Sequence, residues 1–219
     1  IQCWGSGRWG KLGNGSTSDQ STPVSVSNIS SATAISAADS HTCAVLSGGT
    51  VECWGLGSSG QLGNGSTSNP YIASTPVSVS NISTATAVAA GYNHTCAVLS
   101  GGTVKCWGKG DNYEMGNGST SSQSTPVSVS NISTATAISA GQNYTCAVLS
   151  GGTIQCWGSG RWGKLGNGST SNQSTPVSVS NISTATAISA ADSHTCALLS
   201  GGTVKCWGYG SSGRMGNGS

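Results

Sequence analysis

The sequence predicts an all-β fold, a tandem array of four-stranded antiparallel blades of the β-propeller type. Three observations point there. The dipeptide Cys-Trp recurs at Cys3, Cys53, Cys106, Cys156 and Cys206, at intervals of 50, 53, 50 and 50 residues. A fixed period of this size marks a repeat architecture whose unit cannot bury its apolar face alone. Within each period apolar residues alternate with Ser and Thr at period two, and no segment carries the 3.6-residue pattern of a capped helix. Clusters of Gly, Asn and Ser separate these short runs.

One unit shows the elements in order. Ser21-Thr22-Pro23-Val24-Ser25-Val26-Ser27 alternates hydroxyl and valine after a proline suited to a strand start. Ala34–Ala37 is a second short strand, His41–Leu46 a third and Thr50–Trp54 a fourth. Ser47-Gly48-Gly49 joins the last two as a three-residue hairpin loop, with Gly49 at the left-handed position. Trp54-Gly55 opens a glycine-rich loop that runs through Leu62-Gly63-Asn64-Gly65. The chain divides into a partial blade at 1–16 and blades at 17–66, 67–119 (with a loop insertion), 120–169 and 170–219. It opens and closes inside a unit, so the expectation is an array that is open or continues between subunits.

The hairpin register pairs Leu46 with Thr50, Val45 with Val51 and Cys43 with Cys53. Directly opposed Cβ atoms lie roughly 4.5–5.5 Å apart, within adjustment of disulfide geometry. The ten-residue spacing recurs as Cys96/Cys106, Cys146/Cys156 and Cys196/Cys206. Four disulfides are therefore expected, each contributing roughly 2–3 kcal/mol by loop entropy. Cys3 is left unpaired, its expected partner falling about ten residues before Ile1 by the same spacing. Disulfides in every unit imply an oxidising location, extracellular or at the cell surface.

Composition narrows the function classes. Charged residues are 6% of the chain and the net charge is +2, without the clustered Lys and Arg that phosphate neutralisation requires. Nucleic acid is thus not an expected partner, and no apolar run is long enough to span a membrane. The surface must be Ser, Thr, Asn and Gly, and low net charge favours association.

The run Ala-Ile-Ser-Ala-x-x-x-His-Thr-Cys-Ala-Val-Leu-Ser-Gly-Gly-Thr-Val-x-Cys-Trp-Gly-x-Gly-x-x-Gly-x-Leu-Gly-Asn-Gly, followed by Ser-Thr-Pro-Val, resembles the repeat of the regulator of chromosome condensation family. The resemblance covers the whole chain and implies propeller blades, usually seven to a ring. It also implies a choice of functions, since the family includes nuclear exchange factors for a small GTPase as well as secreted binding and inhibitor propellers. The cysteine pair is similar to that of secreted versions of the repeat.

Several motifs suggest chemistry that their context opposes. Gly5-Ser6-Gly7-Arg8-Trp9-Gly10 fits a dinucleotide fingerprint, as do Gly55 to Gly60 and Gly208 to Gly213. That reading needs a helix next, whereas Ser, Thr, Gly and Pro follow. His41, His94 and His194 precede Thr-Cys, but Tyr144 stands at this position beside an intact cysteine pair, which opposes zinc. Asp39-Ser40-His41 and Asp192-Ser193-His194 juxtapose three catalytic residue types, but the second unit has Gly91-Tyr92-Asn93 there. No enzyme activity, metal or cofactor is expected.

Loop aromatics are the candidate contacts. Trp9 and Trp162 lie beside Arg8 and Lys11, and beside Arg161 and Lys164, while Tyr71 belongs to the inserted loop and Tyr113 to the third glycine-rich loop. Sequons are dense. Asn-Gly-Ser stands at Asn14, Asn64, Asn117, Asn167 and Asn217, Asn-Ile-Ser at Asn28, Asn81, Asn131 and Asn181, and two more at Asn93 and Asn143. Asn-Gly is also a turn signal, so the Asn-Ile-Ser set is the stronger candidate for glycans, which would supply the hydration that missing charges do not.

Residues 1–66 and 154–219 differ at only seven positions, which reveals a longer period of three units. Near-identical units, low charge and the absence of catalytic sets predict an extracellular structural protein that self-associates into a filament, appendage or coat, disulfide-stapled and glycosylated. The alternative is a secreted propeller whose loops bind a protein or a glycan.

Overall fold

A computed structural model describes residues 1–67, 71–216 and 218. Its strands form five consecutive antiparallel sheets. The first contains β1 (Gln2–Gly5) and β2 (Gln20–Ser25). The second contains β3 (Ala32–Ala37), β4 (His41–Leu46), β5 (Val51–Leu56) and β6 (Ile72–Ser78). The third contains β7 (Ala85–Ala90), β8 (His94–Leu99), β9 (Val104–Gly108) and β10 (Gln123–Ser128). The fourth contains β11 (Ala135–Ala140), β12 (Tyr144–Leu149), β13 (Ile154–Gly158) and β14 (Gln173–Ser178). The fifth contains β15 (Ala185–Ala190), β16 (His194–Leu199) and β17 (Val204–Gly208).

The blade phase differs from the one read in the sequence. Divisions such as 17–66 place the Ser-Thr-Pro-Val strand at the start of a blade. In the structure β2 pairs with β1, β6 with β5, β10 with β9 and β14 with β13, so this strand closes the preceding blade. The loop before it folds back along the strand it leaves, while the short link after it crosses to the next blade.

The hairpin register is as derived. Cys43 faces Cys53, Val45 faces Val51, and the Leu46 amide bonds the Thr50 carbonyl. Hydrogen-bonded and non-hydrogen-bonded pairs alternate, so Leu46/Thr50 as a bonded pair puts Cys43/Cys53 at a non-bonded one, where side chains are closest. The Cα atoms are 4.1 Å apart and the disulfide is formed, as it is in the next three blades. Gly49 holds φ +79°, and a Cβ there would stand 2.7 Å from the Ser83 carbonyl oxygen of the next link.

Cys43, Val45, Val51 and Cys53 pack with Leu62 against Val79 and Ile82 of the link and Val88, Ala97 and Trp107 of the following blade. The apolar core thus lies between blades, and the two succeeding interfaces repeat it. The innermost strands β3, β7, β11 and β15 pack side by side. Their ends converge on one axial cavity of about 340 Å³ lined largely by Ala and Gly. Alanine at alternate positions of these strands is what allows four backbones to approach a common axis. The glycine-rich loops contain short 3₁₀ turns at Arg8–Gly10, Arg161–Gly163 and Ser211–Gly213, so among the described residues no α-helix follows the dinucleotide-like motif.

Candidate functional site

Meander topology sorts the connections onto two faces. The turn from first to second strand (38–40, 91–93, 141–143, 191–193) and the glycine-rich loop after the third strand leave the same ends of each sheet. Backbone bonds tie them together, from Leu56 N to Ser40 O, Lys109 N to Asn93 O, Ser159 N to Asn143 O and Tyr209 N to Ser193 O. This is the loop face, and the axial cavity opens among its turns. The Ser-Gly-Gly hairpins and the Asn-Ile-Ser links emerge on the opposite side, where Ser47 N bonds Ser31 O and Ala85 N bonds Gly49 O. This is the turn face.

The chemistry of the chain is confined almost wholly to the loop face. Tyr71, Tyr92, Tyr113, Tyr209, Trp9, Trp162, Arg8, Lys11, Lys109, Arg161, Lys164 and Arg214 belong to it, as do Asp19, Asp39, Asp111, Glu114 and Asp192. The remaining charges, Glu52, Lys105 and Lys205, share one mid-strand position. The connections of the turn face carry no charge and no aromatic ring. The units also diverge most on the loop face. Arg-Trp-Gly-Lys (8–11) becomes Ser-Ser-Gly-Gln (58–61) and Asp-Asn-Tyr-Glu (111–114), and Ala-Asp-Ser (38–40) becomes Gly-Tyr-Asn (91–93), while Leu-Ser-Gly-Gly-Thr is identical in all four hairpins.

Beneath this face an invariant bracket joins the blades. At each interface one loop carbonyl accepts the tryptophan indole of the following blade, and at three of the four it also accepts a threonine hydroxyl. Gln61 O takes the Trp107 indole Nε1 at 2.9 Å and the Thr95 hydroxyl at 2.9 Å. Lys11 O takes Trp54 and Thr42, and Lys164 O takes Trp207 and Thr195; Glu114 O takes Trp157. Because Thr95 spends its proton on Gln61 O, its oxygen must accept from His41 Nε2, 2.8 Å away, which fixes the neutral Nε2–H tautomer of His41. Burial, reinforced by His94, lowers the His41 pKa to about 3. His94 stands in the same way 2.8 Å from Thr145, held down to about 4 by burial and then by the charge of Lys164. Tyr144 takes the histidine's place at the Lys164 bracket, 2.8 Å from Thr195. These side chains are structural, and the buried His41 ring has no access to a substrate. Ser40 bonds the Tyr92 carbonyl at 3.4 Å, so Asp39-Ser40-His41 is not a triad.

The predicted contact residues separate. Trp9 and Trp162 are half-buried on the loop face at φ +63°, a left-handed conformation that costs a bulky residue about 1–2 kcal/mol. Ser212, at the same position of the last loop, also holds φ +64°. Arg8 lies 4.2 Å over the Trp9 ring and Arg161 4.1 Å over Trp162, and Trp162 also stacks on Tyr209 at 5.0 Å. Tyr71 is instead a packing residue. Its ring covers Gly57, and its hydroxyl accepts 2.7 Å from Asn64 Nδ2. Half-buried Tyr113, at φ +67°, occupies the position held by Gly10, Gly60 and Gly163 in the other loops. Exposed Tyr92, Asp39 and Asp192 line the axial mouth, and exposed Tyr209 lies against Trp162; none of the four was among the contact residues expected from sequence. The variability of the 38–40 triplet between units was the available signal.

Lys164 is buried, and its Nζ donates 2.7 Å to Gln142 O and lies 4.7 Å from the Tyr144 ring. Burial lowers its pKa to about 8. Glu114 is also buried, with a pKa that burial raises. Its carboxylate accepts from the Asn112 backbone amide at 2.8 Å, a loop brace rather than an acid poised toward a ligand. Cys3 is the free cysteine, half-buried. Asn14, Asn64, Asn117 and Asn167 sit in loop-face turns, Asn93 and Asn143 in the inner turns, and Asn28, Asn81, Asn131 and Asn181 on the turn face. Asn217 lies outside the described residues.

These features define a class, disulfide-stapled tandem blades of propeller type. The Regulator of chromosome condensation (RCC1) repeat matches residues 3–45, 49–98, 101–148 and 152–198, and a second description of that repeat matches 32–61, 85–114 and 185–214. The chain belongs to this family. The fold is similar to human WBSCR16, at TM-score 0.81 and 20% identity over 96% of this chain and 57% of that one. It is also similar to yeast RCC1 (Prp20), solved bound to Kap60, at TM-score 0.77 and 22% identity over 94% and 51%. The chain therefore spans little more than half the length of these structures. Among curated proteins, none matches this chain.

Proposed function

We propose that the chain is a non-enzymatic extracellular binding module whose loop face engages a protein partner. One observation carries this. Among units otherwise nearly identical, most of the charge, the loop aromatics and the divergence collect on a single face around the axial mouth. A face serving only to hold blades together would repeat like the turn face. Half-exposed tryptophans stacked with arginines are residue types that anchor protein interfaces. The four disulfides support an extracellular location. The filament reading draws less support, because the inner strands bend about one axis, with the curvature of the propellers compared above, rather than extending in a line.

The test is site-directed photo-crosslinking on the secreted protein. A crosslinker at Arg8, Asp111 or Asp192 is expected to capture a discrete partner that a crosslinker at the hairpin residues Ser47 or Ser100 of the turn face does not. Capture from the turn face alone would overturn the assignment. Fibres in negative-stain images of the native material would restore the structural-array reading.

A further inference from the structure

The turn face has no charge and no aromatic side chain in its connections, yet it presents sequons in a regular row. We propose that Asn28, Asn81, Asn131 and Asn181 carry N-linked glycans, making the turn face the glycosylated face of the molecule.

Acceptor chemistry requires two groups, the asparagine amide and the hydroxyl two residues on. Transfer forms a bond from Asn Nδ2 to the anomeric carbon of an oligosaccharide. The bond from that carbon to the phosphate oxygen of a lipid-pyrophosphate donor breaks, the lipid pyrophosphate leaves, and the amide gives up a proton to the transferase base. The folded chain must then leave the sugar in solvent. Only one class of sequon satisfies this at both groups. Asn28 and Ser30 are exposed, as are Asn81 and Ser83, Asn131 and Ser133, and Asn181 and Ser183. The intervening Ile82, Ile132 and Ile182 are buried. They pin the link while the asparagine, at φ +55° to +58°, turns outward.

The other sequons are spent on the fold. In the Asn-Gly-Ser set the Asn Oδ1 accepts from the serine amide two residues on, in all four described copies. In three of them that serine's own hydroxyl accepts the next amide but one. For Asn93 and Asn143 the acceptor hydroxyls belong to Thr95 and Thr145, which are fully buried in the inter-blade brackets. The Asn-Ile-Ser row also lies where hydration is most needed, since hydroxyls and glycines without charge favour association.

The experiment is to secrete the full chain from a host with N-glycosylation, trim it with an endoglycosidase that leaves one N-acetylglucosamine, and map the sugar by peptide mass spectrometry. The retained sugar distinguishes glycosylation from deamidation at Asn-Gly. Most occupancy is expected at Asn28, Asn81, Asn131 and Asn181, and little at Asn14, Asn64, Asn117, Asn167, Asn93 or Asn143. Comparable occupancy at Asn-Gly-Ser, or none at Asn-Ile-Ser, overturns the proposal. A second variant, with Ser30, Ser83, Ser133 and Ser183 changed to Ala, keeps every asparagine. It should lose the sugar and elute as larger species in size-exclusion chromatography; unchanged sugar content would refute the assignment. Failure here leaves the loop-face reading standing, because the two rest on opposite faces.

Discussion

Replacing Trp107 by Phe tests the inter-blade bracket. The indole is fully buried, donates 2.9 Å to Gln61 O, and lies against Gly63, where a Cβ would stand 2.7 Å from Nε1. Trp107→Phe deletes one hydrogen bond, worth about 1 kcal/mol, without orphaning the acceptor, because Thr95 still donates to Gln61 O. It also removes the pyrrole edge over Gly63, adding about 1–2 kcal/mol of lost packing. The total of about 2–3 kcal/mol corresponds to a fall of roughly 5–10 °C in Tm for a chain of this size. Gly63→Ala, strained at φ +70° and pressed against the indole, should be destabilising alone and less so when combined with Trp107→Phe, which vacates that space. Thermal melts of the parent, the two single variants and their combination complete a double-mutant cycle. An unchanged melting temperature for Trp107→Phe, or strict additivity of Gly63→Ala and Trp107→Phe, would refute the bracket.

Three further outcomes are expected. His41 and His94 stay neutral in the fold down to about pH 3 and 4, whereas the unfolded chain takes up their protons near pH 6.5. Stability should therefore fall as pH drops from about 6.5 toward 4, by up to about 1.4 kcal/mol per pH unit for each histidine. The raised pKa of Glu114 acts in the opposite sense, so the informative quantity is the difference made by His94→Tyr. That variant copies Tyr144 and should reduce the acid slope of denaturant midpoints; an unchanged slope would exclude the histidine origin. Changing Cys96 and Cys106 together to Ala should cost roughly 2–3 kcal/mol. In native protein none of the eight paired cysteines from Cys43 to Cys206 should react with a thiol reagent; eight reactive thiols among them would contradict the pairing. Trp9→Ala with Trp162→Ala should weaken partner binding at least roughly tenfold while leaving the melting temperature nearly unchanged, and intact affinity would move the contact elsewhere on the face.

The hairpin and its disulfide were legible in the sequence because they are local. Ten residues and a Ser-Gly-Gly loop leave one register that places both cysteines opposite each other on a buried face. The blade phase was not legible, for a reason inherent in repeats. A periodic sequence has the same strands whichever point is taken as the start, and the short link from Val26 to Ser31 makes β2 look like the partner of β3. Its actual partner β1 lies across the longer glycine-rich loop, and only the ladder from Gln2 to Ser25 and from Cys3 to Val24 decides the matter.

The brackets escaped notice for a related reason. They join Trp107 to Gln61 and His41 to Thr95, residues about one period apart, and at that separation the sequence reports recurrence but not contact. The position of Gln61, Glu114 and Lys164 illustrates the consequence. Residue types usually found in solvent are buried there because their carbonyls must reach the next blade's indole. The backbone role is the same in each unit, which frees the side chain to differ, and Lys164 turns to Gln142 O while Glu114 turns to Asn112. Invariance of the bracket and variability of the face above it are thus one design. The main chain fixes how blades stack, and the side chains of the same loops remain open to be changed for recognition.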